Sequence, residues 1–156
     1  MRPATLLLAI LALPACGSDE PIPDGYYPLV SVNDSPVPVL YHATVNCDSR
    51  IESGSLTVSG ANATLVLRSS MDCTRAGGAN DISDWQFLSN TAAFADGAAA
   101  VVLVRAPSDT VRLMGAYAGG YLNLGTNDEV LPNLSGAFRF GPRTALSAQL
   151  ARLLPN

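Results

Sequence analysis

The segment between Cys47 and Cys73 constrains the fold more than any other part of the chain. Two runs of strand-forming residues, 55–59 and 62–70, flank a Gly-Ala pair at 60–61. Glycine as the first of two central residues suits a type II′ hairpin turn. In the resulting register one face is apolar and the other carries a pair of threonines, as expected of a half-buried antiparallel ribbon. The segment is therefore predicted to be a β-hairpin.

The two cysteines fix the register at the open end of this hairpin. If the pairing continued without interruption, Cys47 would face Thr74 and Ile51 would turn to the polar side. One extra residue in the first strand, a β-bulge placed at 53–54, corrects both positions. Cys47 then lies directly across from Cys73, and an oxidising compartment would join them in a disulfide.

The first fifteen residues have the composition of an export signal. A basic residue precedes an apolar run over residues 4–13, which is too short to span a bilayer. The sequence Leu-Pro-Ala-Cys that follows, at 13–16, resembles the lipobox of bacterial lipoproteins. The resemblance implies that residues 1–15 are removed and that Cys16 is lipidated. An ordinary secretory signal cut near Ala15 is the alternative.

Residues 16–25 are predicted to be a flexible tether, followed by a single β domain over residues 26–156. The tether is rich in Asp, Glu and Pro, which bury little apolar surface. Gly17 rather than Asp follows the lipobox cysteine, and by resemblance to Gram-negative sorting rules this implies the outer membrane if the host is Gram-negative. We therefore expect an exported, membrane-anchored protein that faces the periplasm or the cell surface.

The composition argues against several functional classes. The formal net charge of −4 makes nucleic acid an unfavourable partner. All nine basic residues are Arg, so chemistry that requires a lysine is excluded. His42 is the only histidine, and no nucleophile motif accompanies it. We predict a protein that is not an enzyme and needs no cofactor, although hydrolysis by paired carboxylates is not excluded.

The sequence contains no convincing metal site. Only His42 could join the two cysteines as a zinc ligand, and zinc requires three or four ligands. Two polar clusters at 80–84 and 127–129 offer oxygen atoms, but neither has the spacing of an EF-hand loop. We therefore predict no metal and interpret both clusters as polar turns.

Short apolar runs separated by tight turns recur along the rest of the chain. Turn signals occur at 33–34, 96–97 and 119–120, and residues 134–140 read as a last strand. About eight to ten strands without a long crossover predict an all-β, antiparallel up-and-down meander. A barrel is the simplest closure, and a β-sandwich is the alternative. Leucines at helical spacing predict a short C-terminal helix over residues 144–154.

The start of the β domain resembles that of small lipocalin-like domains in uncharacterised bacterial lipoproteins. Residues 25–40 combine Tyr, Leu and Val with a turn that precedes two prolines, Pro36 and Pro38. The resemblance extends over about 25–73 and implies a small lipocalin-like barrel.

Five aromatic residues on predicted strands are the candidate ligand-binding set: Trp85, Phe87, Tyr117, Phe138 and Phe140. In a small barrel such residues either fill the core or line a pocket for an apolar ligand. The predicted function is a lipid-anchored binding module of the cell envelope, with a small hydrophobic molecule as candidate ligand. The alternative is a protein-protein interaction or inhibitor-like module that acts through the polar, Gly-rich loop 74–81, predicted to be mobile.

Overall fold

The computed structural model describes residues 22–89, 92–95, 98–106 and 109–144. This part of the chain is all-β, with one short 3-10 turn at Thr74–Ala76. The strands are β1 (Gly25–Val32), β2 (Ser35–Pro36), β3 (Val39–Ala43), β4 (Asp48–Ser59), β5 (Asn62–Asp72), β6 (Asn80–Ser89), β7 (Ala92–Ala95), β8 (Ala98–Ala106), β9 (Asp109–Ala118), β10 (Tyr121–Leu131) and β11 (Leu134–Phe140).

The strands form one antiparallel sheet that curls into a half-barrel. Its order is β2-β1-β11-β10-β9-β8-β6-β5-β4-β3, and β7 pairs with β8. β1 has three partners, because its first half pairs with β4 and its second half pairs with both β2 and β11. Strands that are far apart in the sheet order therefore meet along β1. The prediction of an all-β, antiparallel fold is confirmed.

The hairpin formed by β4 and β5 has the predicted register. Leu56 pairs with Leu65 and Val58 with Ala63. Gly60 has φ +57, as the first central residue of a type II′ turn requires. All four paired side chains are buried, between 0 and 2% exposed, so the apolar face of the ribbon is the inner face of the half-barrel.

The predicted bulge exists, but its position at 53–54 was wrong. Glu52 is the extra residue, between Ile51 and Ser53. Gly54 serves a different purpose, since a Cβ atom added there would lie 2.8 Å from a methyl group of Leu67. Close packing between neighbouring strands, rather than the bulge, requires glycine at this position.

Cys47 and Cys73 form a disulfide, with their Cα atoms 4.2 Å apart. They continue the β4–β5 ladder beyond its last pair, Asp48 and Asp72. Arg75, in the 3-10 turn, forms an ion pair with Asp48 beside the disulfide. The open end of the hairpin is therefore held both covalently and by charge.

The loop predicted at 74–81 is shorter than expected. The amide of Gly77 donates to the carbonyl of Thr74 at 3.0 Å, which closes the 3-10 turn. β6 then begins at Asn80, so only residues 77–79 lie outside regular structure. Asn80 and Asp81 continue the ladder with β5, and this long-range pairing outweighs their local preference for a turn.

The C-terminal helix predicted at 144–154 is not seen. Thr144 instead forms an antiparallel bridge with Tyr26, and the rest of that segment lies outside the described residues. The signal segment 1–15 and Cys16 also lie outside them.

The last residues assigned to the tether contact the β domain. Ile22 is 1% exposed and belongs to the hydrophobic core. The hydroxyl of Tyr27 donates to the carbonyl of Pro23 at 2.5 Å, and the carboxylate of Asp24 accepts from the amide of Gly60 at 2.7 Å. The packed domain therefore includes residues before β1.

Candidate ligand-binding site

Four of the five candidate aromatic residues lie in the core or against it. Phe87, Phe138 and Phe140 are 5, 1 and 0% exposed and belong to the core cluster. Tyr117 packs against that cluster and meets the ring of Tyr27 edge-on, with 6.2 Å between ring centroids. These side chains fill the interior of the half-barrel.

Trp85 differs from the other four, because it lies where the packed interior ends. It is two residues before Phe87 on β6 and therefore shares its face, yet it is 40% exposed. Its indole N–H donates to the hydroxyl of Ser69 at 3.0 Å. Ser69 is 8% exposed and is the one buried polar side chain in the described part of the chain. The hydrogen bond fixes the indole ring at the edge of the core.

A cavity of about 430 Å³ opens beside this ring. Its walls come from β3 and the start of β4, the end of β5, the start of β6, and the turn between β10 and β11. The lining residues are Tyr41, His42, Thr44, Cys47, Ser49, Ser69, Ser70, Met71, Asp81, Ser83, Trp85, Leu131, Pro132 and Asn133.

The inner face of the sheet changes character at this cavity. Ile51 is fully buried and pairs with Ser69, which in turn pairs with Ser83 on β6. Ser49 lies two residues before Ile51 and therefore occupies the same face. Serines thus replace the leucines that occupy the same face nearer the Gly60 turn.

Tyr41 also lines the cavity and is the extra residue of a bulge in β3. Its ring packs against the hydrophobic core. Burial raises the pKa of the Tyr41 phenol, and a hydrogen bond from the hydroxyl of Ser49 acts in the opposite direction. The phenol is therefore protonated at neutral pH and keeps a hydroxyl group at the cavity wall.

The site offers surfaces for binding. Trp85 and Met71, which are 40 and 46% exposed, contribute apolar surface, while the tyrosine and serine hydroxyls contribute hydrogen-bond donors and acceptors. His42 lines the cavity opposite Ser49 on the β3–β4 ladder. Among the described residues, no group of three His, Cys, Asp or Glu side chains is placed to hold a metal ion. Apolar walls with a few hydrogen-bonding groups are typical of small-molecule sites.

Sequence reasoning found Trp85 but missed the other walls of the cavity. A signal was present for two of them, because the bulged register of the hairpin places Ser49 and Ser69 on its apolar face. A serine at an inward position beyond the last buried aliphatic residue indicates a solvated pocket or a polar contact. Tyr41 and Leu131 had no comparable signal, because a bulge and a distant turn bring them to the site.

Comparisons with known proteins give no relative from which a function could be transferred. No protein-family model, curated protein or solved structure matches this chain. Over the ranges described above, no helix is long and apolar enough to cross a membrane. The function is therefore argued from the cavity itself.

Proposed function

We propose that the protein is a binding module of the cell envelope, anchored through a lipid on Cys16, whose ligand is a small hydrophobic molecule. The cavity beside Trp85 carries this proposal. Its volume of about 430 Å³ lies within the range of about 300–1,000 Å³ that is common for ligand pockets. A partly exposed tryptophan held by a hydrogen bond provides a rigid apolar surface for such a ligand.

The proposed architecture is a small lipocalin-like barrel rather than a sandwich. Two observations support it: the sheet curls, and β1 pairs both with β11 and with β4. The cavity lies at one end of the sheet, and the mouth of a barrel is a common location for ligands. The disulfide between Cys47 and Cys73 fits a protein exported to an oxidising compartment.

The Cys16→Ser variant serves to test both parts of the proposal, the lipid anchor and the bound small molecule. Wild-type protein should incorporate a fatty-acid analogue during metabolic labelling, whereas Cys16→Ser should not. The unlipidated Cys16→Ser chain, purified from the envelope, should show a bound small molecule in native mass spectrometry. Replacing Trp85 by Ala in that background should reduce the bound fraction, because the indole forms one wall of the cavity.

Tyr117→Phe is a matched control, since Tyr117 is an aromatic residue outside the cavity lining. It should retain the ligand. Equal labelling of the wild type and Cys16→Ser would exclude the lipid anchor. If native mass spectrometry shows no bound small molecule, and an envelope pull-down captures a partner protein that is lost when residues 74–81 are shortened, the protein-protein alternative is correct. A hydrolytic activity that is lost in His42→Ala would exclude a purely binding role.

A further inference from the structure

The charges at the cavity restrict which molecules it can accept. The described lining residues include no Arg, and the chain contains no Lys. Asp81 lies at the exposed rim and contributes a carboxylate. A carboxylate, sulfate or phosphate group that enters this cavity would thus meet a negative charge and no guanidinium or ammonium group.

Most polar side chains of the wall carry a hydroxyl group: Tyr41, Thr44, Ser49, Ser69, Ser70 and Ser83. Tyr41 and Ser49 line the cavity from the paired strands β3 and β4, and Ser83 lies opposite Ser69 on the paired strands β5 and β6. Hydroxyls can donate to and accept from an alcohol, ester or amide without a charge being removed from water. An ionised ligand group beside these hydroxyls would lose hydration without gaining a guanidinium or ammonium counter-charge.

The apolar part of the wall lies next to these hydroxyls. Trp85 and Met71, both partly exposed, line the cavity together with Tyr41. A ligand that fits both parts has an apolar body against Trp85 and a polar head against the tyrosine and serine hydroxyls. Resting on the proposed function, we infer that the ligand is an uncharged amphiphile, and that the cavity discriminates against fatty acids and other anionic lipids.

Two probes that differ only in their head group test this inference. 1-Decanol and decanoate have the same chain length, and Trp85, the only tryptophan, lines the cavity, so its fluorescence should respond to binding there. The titrations use the Cys16→Ser chain at pH 8, where decanoate is ionised. 1-Decanol should bind at least about tenfold more tightly than decanoate, because only the carboxylate must lose hydration without compensation.

Tyr41→Phe keeps the ring but removes the hydroxyl, so it should reduce the preference for 1-decanol several-fold. Tyr117→Phe, outside the cavity, should leave that preference unchanged. If decanoate binds as tightly as 1-decanol, the inference is wrong although the proposed function stands. If Tyr41→Phe leaves the preference intact, Tyr41 is not the partner of the head group. If neither probe changes the Trp85 emission, the proposed hydrophobic ligand site itself is wrong.

Discussion

The two ends of the β4–β5 hairpin have the same strands and the same inner face, but they serve different purposes. At the Gly60 end, Leu56, Leu65 and Leu67 are fully buried. At the disulfide end, the inner face carries serines and borders the cavity, and Trp85 remains 40% exposed. One end is thus built from packed hydrocarbon, and the other from hydroxyls around an open space.

The difference shows how a small domain can leave part of its interior unfilled. Aliphatic burial stabilises the Gly60 end by about 1.5–3 kcal/mol for each large side chain. The disulfide end has fewer such side chains and is instead held by specific links: the Cys47–Cys73 bond, the ion pair between Arg75 and Asp48, and the hydrogen bond from Trp85 to Ser69. Removing these links should therefore affect the two ends unequally.

Loss of the disulfide should produce the largest effect. The chain-entropy model gives about 3.5 kcal/mol for a closed loop of this length, so Cys47→Ser/Cys73→Ser should lower the free energy of unfolding by about that amount. Urea unfolding of the double variant and of the wild type measures the loss. Amide hydrogen exchange should accelerate most in β3 and the first half of β4, next to the removed bond.

Wild-type protein treated with a reductant provides the control for this variant, because it loses the same bond without a change of side chain. The two samples should unfold at the same urea concentration. Exchange that accelerates equally around Gly60 and around the cavity would show that the disulfide end is not a separate structural region.

High pH should produce the next largest effect, through the Tyr27 phenol at the packed end. Burial raises the pKa of Tyr27 to about 12, from 10.0 in the unfolded chain. The unfolded state therefore loses its proton first as the pH increases. The contribution of the Tyr27 phenol to the free energy of unfolding is fully present below pH 10. About 2–3 kcal/mol of it should be lost as the pH rises from 10 to 12.

Urea unfolding at pH 9 and at pH 12 measures this loss, and Tyr27→Phe is the matched control. The variant cannot ionise at this position, so most of the pH dependence should disappear. The pKa of Tyr41 is raised in the same direction, and its titration should account for part of the residual slope. If the pH dependence of the free energy of unfolding is the same in Tyr27→Phe as in the wild type, groups other than Tyr27 cause the loss of stability at high pH.

Local patterns were sufficient to predict most strands and the hairpin register. Leu56 opposite Leu65, the Gly60 turn and the pairing of Cys47 with Cys73 all follow from alternation and turn chemistry within one hairpin. The position of the bulge did not follow, because Gly54 is selected by its packing rather than by the ladder.

Contacts between distant segments were beyond what such patterns reveal. The side chain of Asn33 accepts a hydrogen bond from the amide of Ala137 at 2.8 Å, across a separation of 104 residues. Gly136 has φ +110, and a Cβ atom there would collide with Asn33. The turn residue Asn33 could be predicted, but its docking against β11 depends on how the whole sheet curls.

The cavity was predictable only in part, for the same reason. Trp85 was identified from its position on a strand, and Ser69 lies inward by register. Leu131 reaches the cavity from the far side of the sheet order, through the turn between β10 and β11. A pocket formed by segments that lie far apart in the sequence can be identified only from the tertiary structure.

The smallest expected effect tests the polar end directly. Ser69→Ala removes the acceptor of the Trp85 indole N–H, which lies at a partly exposed position and can bond to water instead. The cost should therefore be that of one ordinary hydrogen bond, about 1 kcal/mol. Leu67→Ala, two residues earlier on the same face, leaves a void in the core and should cost about 2–5 kcal/mol. Urea unfolding compares the two variants, and the Trp85 emission should change in Ser69→Ala because the ring loses its fixed orientation. If Ser69→Ala cost as much as Leu67→Ala, the disulfide end would be as tightly packed as the Gly60 end, and the space beside Trp85 would not be open to a ligand.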